Sequence, residues 1–130
     1  MAAIDHDPLV RFVRETLGCG CPDEVLAAIS CQPGADPDGH RWTLDVGGRL
    51  LVWVVTADPT SAHTVVAQDL QEGIEERNRR GFNRFRLVVV SRDQLVAGAA
   101  RAAFATANSP DDRVHLHVVP PELLPEALRG

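Results

Sequence analysis

The residues of this chain best suited to chemistry are two cysteines set one residue apart in Cys19-Gly20-Cys21-Pro22. Pro22 followed by Asp23 and Glu24 reads as a helix start with Cys21 at the cap. A thiol there meets unpaired backbone amides and the positive end of the helix dipole, and both favour thiolate. Two chemistries open from that placement. As a redox pair, Cys19 and Cys21 would close a small strained ring that is easily reduced. As metal ligands they would supply two sulfurs of a tetrahedral site, for which zinc is the natural ion and two further donors are needed. A plainer account stands beside both: Cys21 caps the helix, Cys19 packs as a small hydrophobe, and no metal is bound. Cys31 is the obvious third thiol, but a helix over residues 22–31 would hold it about 15 Å from Cys21, at roughly 1.5 Å of rise per residue. It joins the site only if that helix ends early. His6, His40 and His63 are donors that folding could bring in.

The string Leu17-Gly18-Cys19-Gly20-Cys21-Pro22-Asp23-Glu24-Val25 resembles a group of small uncharacterised prokaryotic proteins that share Leu-Gly-Cys-x-Cys-Pro-(Asp/Glu)-Glu-Val. The matching segment, Phe12 to Val25, is little more than a tenth of the chain. The resemblance implies no activity, since none is assigned to the group; it draws attention to Cys19 and Cys21 without giving them a role.

Three other constellations carry weaker signals. His115 and His117 lie two apart in an alternating stretch, so on a strand both face one side, roughly 6 to 7 Å apart, a spacing from which two imidazoles can grip one metal ion. On an edge strand the same alternation simply makes a polar outer face. Arg77-Asn-Arg-Arg-Gly-Phe-Asn-Arg-Phe-Arg86 places five arginines and two phenylalanines in ten residues, the composition of a phosphate-contacting, base-stacking patch. Against that, Glu75 with Arg79 and Glu76 with Arg80 are four apart in the favourable helical direction and would neutralise one another. Finally, Asp58, Thr60, Ser61 and His63, and Ser91, Arg92 and Asp93, fall just after two expected strands, where α/β sheets tend to bind ligands. Of these, Asp58, Ser61, Ser91 and Arg92 are the candidate ligand contacts, although Asp and Ser are also ordinary turn and cap residues. Asp36-Pro-Asp-Gly39 lacks the third acidic position and closing Glu of a calcium loop.

Composition removes whole classes of mechanism. All 13 basic residues are arginine, against 18 acidic residues, for a net charge of −5. Without lysine there is no Schiff base and no phosphate-loop lysine, and without tyrosine no phenolic general acid. The negative balance disfavours nucleic acid as a partner. Three cysteines, one of them remote from the other two, are not a disulfide scaffold. Met1–Pro8 lacks the basic and apolar regions of a secretory leader, and no apolar run approaches the roughly 20 residues of a membrane span. The expected setting is cytoplasmic, with no membrane partner. At 130 residues and 45% hydrophobic the chain suits a single α/β domain over residues 1–130.

The elements that must position these residues follow from periodicity. Asp7-Pro8 starts a helix that Gly18 ends, and a second helix follows from Pro22 with Val25, Leu26, Ala28 and Ile29 as its buried stripe. Residues 32–39 are loop. Arg41–Val46 alternates as a strand, Gly47-Gly48 suits a two-residue hairpin turn, and Leu50–Val55 is an apolar run buried on both faces. Ala62, Val65, Val66, Leu70, Gly73 and Ile74 share a helical face, with Gly81 closing the helix. Arg86–Val90 is a second buried strand, Ser91 and Gln94 form a capping box for a helix to about Asn108, and Val114–Val119 is a last alternating strand. The expected fold is α/β: a four-stranded mixed sheet, an antiparallel hairpin followed by βαβαβ, in order 1-2-3-4. Both crossover helices should cover one face and the N-terminal helix pair the other. Strands 41–46 and 114–119, which alternate, should form the edges.

The function expected from this pattern is a small accessory or interaction protein with a redox-active or metal-binding cysteine joint. Its partner would be another protein or a second copy of itself. The alternative is an enzyme-like domain that binds a small ligand or nucleotide at the strand ends. A third reading is weak nucleic-acid binding through Arg77–Arg86. No complete catalytic set is present, so whether the protein is an enzyme stays open.

Overall fold

Gly47 and Gly48 both take positive φ, 60° and 69°, a conformation costly for residues with a Cβ. The turn they make is closed by Arg49 N–H donating to the Val46 carbonyl at 3.1 Å and by Gly48 N–H donating to Asp45 Oδ1 at 2.8 Å. The register pairs Val46 with Leu50, so the connection is three residues rather than two. From this hairpin the sheet grows in both directions. The computed structural model describes residues 10–16, 28–33, 41–106 and 113–124.

The sheet is mixed and has five strands, not four, in the order β1 (Ile29–Pro33), β2 (Arg41–Val46), β3 (Leu50–Thr56), β4 (Arg84–Val90), β5 (Val114–Val119). β2 runs antiparallel to both β1 and β3; β4 and β5 add in parallel to β3. The extra strand corrects the expected helix over 22–31, since Ile29–Pro33 is extended and pairs with β2 from Ile29↔Val46 to Pro33↔Trp42. Ile29 is buried, Ser30 exposed and Cys31 half-buried, an alternation too short to outweigh the helical stripe before it. It also corrects the edges. β5 is an edge of the described sheet, but β2 has a neighbour on each side. The polar alternation of β2 comes from its position relative to a helix, as described below.

Helix α1 (Ala62–Arg80) links β3 to β4 and helix α2 (Gln94–Thr106) links β4 to β5. α1 packs on β3 and β4, α2 on β5, and the two helices on each other. The apolar run of β3 therefore serves two cores, because strand side chains alternate faces. Leu51, Trp53 and Val55 join Val66, Leu70, Phe85, Leu87 and Val96 on the helix side. Leu50, Val52 and Val54 join Leu44, Val46, Val88 and Val119 on the opposite side. Phe12 and Val13 of a π-helical turn (Phe12–Thr16) and Leu124 cover that second face, the face expected for an N-terminal helix pair, of which residues 17–27 lie outside the described residues. Gly73 sits where α1 presses on the sheet. A Cβ there would collide with the edge of the Phe85 ring, so the close approach of α1 depends on its absence. No helix among the described residues is long and apolar enough to cross a membrane.

Candidate functional site

Cys19 and Cys21 lie outside the described residues, as do His6 and His40. Cys31 faces the second core from β1. Burial pushes its thiol up to about 11, so near neutral pH it is protonated and a poor nucleophile.

His115 and His117 do share a face of β5, opposite Arg86 and Val88 of β4. That face is already committed, because Arg86 Nη1 lies 2.8 Å from His117 Nε2. A guanidinium only donates, so Nε2 accepts and the ring is neutral. Burial, then the charges of Arg86 and of His115, hold His117 down to about 4. The lone pair that would bind a metal is spent on an arginine, whose charge also repels a cation. Among the described residues no group of three or more His, Cys, Asp or Glu side chains converges to hold an ion.

The strand-end candidates follow β3 and β4 as expected, but their side chains close turns or, for Arg92, meet Glu122. Asp58 Oδ1 accepts from Thr60 N–H (3.0 Å), Thr60 Oγ1 (2.7 Å) and Ser61 N–H (2.8 Å), while Ser61 Oγ accepts from Asp58 N–H. The Thr60 hydroxyl, first among these donors, holds the Asp58 carboxyl below its usual range. Ser91 Oγ accepts from Asp93 N–H, and Asp93 Oδ1 accepts from Leu95 N–H, so Asp93 rather than the Ser91–Gln94 box opens α2. Arg92 donates from Nε and Nη2 to Glu122 Oε2 at 3.0 and 2.8 Å.

The arginine-rich segment does not form one surface. Arg77 is buried against Asn78 and Arg86 is buried on the opposite side of the sheet. Arg79 pairs with Glu76 rather than Glu75. Arg80 reaches Glu76 and Asp45 and stacks on Phe82, a core residue.

A different place combines burial with unfinished polar chemistry. β2 lies beyond the flank of α1, so Arg41, Thr43 and Asp45, on its helix-facing side, are left with the side wall of α1 rather than a covering core. Arg41 stacks its guanidinium 4.1 Å above the Trp53 ring, and its Nη1 stands 3.7 Å from both Asp69 and Glu72. Trp53 is only 3% exposed and rests edge-on against Phe85, with ring centroids 5.4 Å apart. Between them and α1 is a cleft of about 220 Å³ lined by Arg41, Trp53, Glu72, Glu75, Glu76 and Arg79. The Trp53 indole N–H and the Arg41 Nε–H are buried with no acceptor among the described residues. On the opposite wall, Glu75 has neither hydrogen bond nor ion pair among the described residues.

Sequence reasoning missed this cleft. Its one local signal is a tryptophan inside an apolar run, since a buried indole N–H needs a partner. The four α1 residues that face it are 19 to 26 positions further along, and nothing in their pattern ties them to β2. Comparison with known proteins finds no family model that matches the chain, and neither a curated protein nor a solved structure matches it, so function must be argued from this geometry.

Proposed function

We propose that the protein binds a small polar ligand in the cleft between β2 and α1. The carrying observation is that the cleft is lined by Trp53 and Arg41, whose indole N–H and Nε–H are buried without acceptors among the described residues. A buried donor left unpaired costs about 1–3 kcal/mol, and a ligand oxygen that reached these two, on a small shift of the wall covering them, would relieve that cost. The cleft is below the roughly 300–1,000 Å³ of sites that take drug-sized molecules, which favours a ligand of a few heavy atoms. This is the ligand-binding alternative from the sequence, seated away from the strand ends, whose polar side chains hold turns instead.

Thermal denaturation against a panel of small acids, amines, amides and amino acids at millimolar concentration tests it. A ligand present at 100 times its Kd adds about 2.7 kcal/mol. Stabilisation of the native protein that disappears in Trp53→Phe supports the proposal. No stabilisation by any panel member overturns it.

The cysteine joint is a second proposal, favoured by one observation. Ile29–Pro33 is a strand, so the helix that would hold Cys31 far from Cys21 does not extend to Cys31. A site of Cys19, Cys21 and Cys31 with a fourth donor would then hold zinc. Elemental analysis of protein purified without chelator should find one zinc per chain, lost in Cys21→Ser; metal-free protein would remove this proposal.

A further inference from the structure

We infer that β5 is a dimerisation strand: two copies of the chain join edge to edge, antiparallel across a two-fold axis at Leu116, into one continuous sheet. This edge lies on the far side of β3 and β4 from the β2–α1 cleft and is independent of what that cleft binds. A parallel ladder bonds through every second residue of each strand. At its two ends Phe85 N–H donates to the Arg113 carbonyl at 3.0 Å and Ser91 N–H donates to the Val119 carbonyl at 2.9 Å, so β5 meets β4 through residues 113, 115, 117 and 119. Val114, Leu116 and Val118 therefore turn their N–H and C=O away from β4, and no strand lies beyond them among the described residues.

That outward row complements itself. In an antiparallel pair centred on Leu116, Leu116 stands opposite its own copy and Val114 opposite Val118, and each of these residues donates and accepts one backbone bond. All three side chains lie on the helix side, where Leu116 and Val118 are only partly buried, so pairing extends that core across the axis. Charge agrees with this direction: Arg113, exposed where β5 starts, comes to the end that carries the exposed Glu122 of the second copy. A neutral edge with opposite charges at its two ends matches itself when turned end for end, which makes a second copy the occupant.

The edge also lacks the usual protections, which are charge, proline or short length. β1, at the other edge, ends on Pro33. β5 reads Val-His-Leu-His-Val-Val, without proline, lysine or arginine, and His117 stays neutral by accepting from Arg86. The helix above the edge is apolar on its free side as well. α2 packs on β5 with α1 against its inner flank, and Leu95, Gly98, Ala102 and Ala105 are exposed on it at three- and four-residue spacing, Leu95 at 70%.

Sedimentation velocity of the native chain, with amide exchange read residue by residue at the same concentrations, tests the pairing. The edge is small for an interface, so association in the micromolar range is expected. The mass should rise from the 14.1 kDa of one chain toward twice that between about 1 and about 100 μM, and the Val114, Leu116 and Val118 amides should exchange at least about tenfold more slowly at the higher concentration. Leu116→Lys, which sets two ammonium groups against each other on the axis, should weaken association at least about tenfold. A native chain that stays monomeric at about 100 μM, or a folded Leu116→Lys protein that associates as the native one does, overturns the inference. So does a dimer in which the three amides exchange at an unchanged rate, since its interface then lies elsewhere. Protection of these amides already complete in the monomer overturns it too, because the chain's own residues then cover the edge.

Discussion

Two arginines of the sheet lie beside an aromatic nitrogen, and they end in opposite states. On β4, Arg86 meets His117, whose ring nitrogen can accept, and the pair closes at 2.8 Å in a buried setting. On β2, Arg41 meets Trp53, whose ring nitrogen can only donate, so stacking is the sole contact available and both groups keep a donor without an acceptor. Exchange of one aromatic type for the other separates an arginine that hydrogen-bonds its aromatic neighbour from one that can only stack on it.

That contrast can be broken in measurable ways. The largest effect belongs to Arg86→Ala, which removes a buried stem and strands the His117 nitrogen; urea unfolding should show a loss of about 2–4 kcal/mol. Arg41→Ala, at a half-exposed position whose ion pairs are long, should cost under about 1 kcal/mol by the same method. Equal losses at the two positions would erase the distinction.

The His117 ring adds a pH signature. Its folded-state value, about 4, lies below the 6.5 of an ordinary histidine. The unfolded chain therefore takes up the proton first, so this contribution is complete above about pH 6.5 and is lost as pH falls toward 4. The total is about 1–3 kcal/mol after allowance for partial exposure. In His117→Gln, which keeps an acceptor for Arg86, the stability profile between those values should be flatter than in the native protein.

Trp53→Phe should change stability by no more than about 1 kcal/mol in either direction, because it removes an indole N–H that makes no bond within the described residues while keeping ring burial against Phe85. Ligand binding, not folding, should carry its effect. Smallest of all, Arg92→Ala breaks an exposed ion pair with Glu122 and should shift the urea midpoint by the equivalent of about 0–1 kcal/mol. A larger shift would give the strand-end residues a role beyond turn closure.

Much of the framework was legible before the structure. Periodicity located β2 to β5 and both long helices, because each pattern runs for five residues or more and most are bounded by Gly, Pro or a capping residue. It missed β1, since three alternating residues, Ile29 to Cys31, carry little information and a strand that short exists only through its partner β2. It misjudged β2 for a related reason. Polar alternation usually marks a solvent face at an edge, but here the polar residues face the flank of α1 in mid-sheet. The cleft was beyond reach because it joins residues 41 and 53 to the 72–79 turns of α1, a proximity created by the width of the sheet rather than by any local pattern. His115 and His117 were correctly paired on one face, but Arg86, which takes up the second ring, appeared only as part of a basic run.

The alternation that divides β2 and β3 between two cores has a spectroscopic consequence. Trp42 packs against the core on one side of the sheet and Trp53 lies within the core on the other, and they are the only two tryptophans in the chain. With one replaced by phenylalanine, intrinsic fluorescence follows a single face. The Trp42→Phe protein reports the layer beneath α1 and α2, and Trp53→Phe reports the layer beneath the N-terminal turn. Superimposable unfolding curves from the two would mean that five strands melt as one cooperative body, and an earlier transition from Trp42 would mean that the face covered by the shorter elements loosens first.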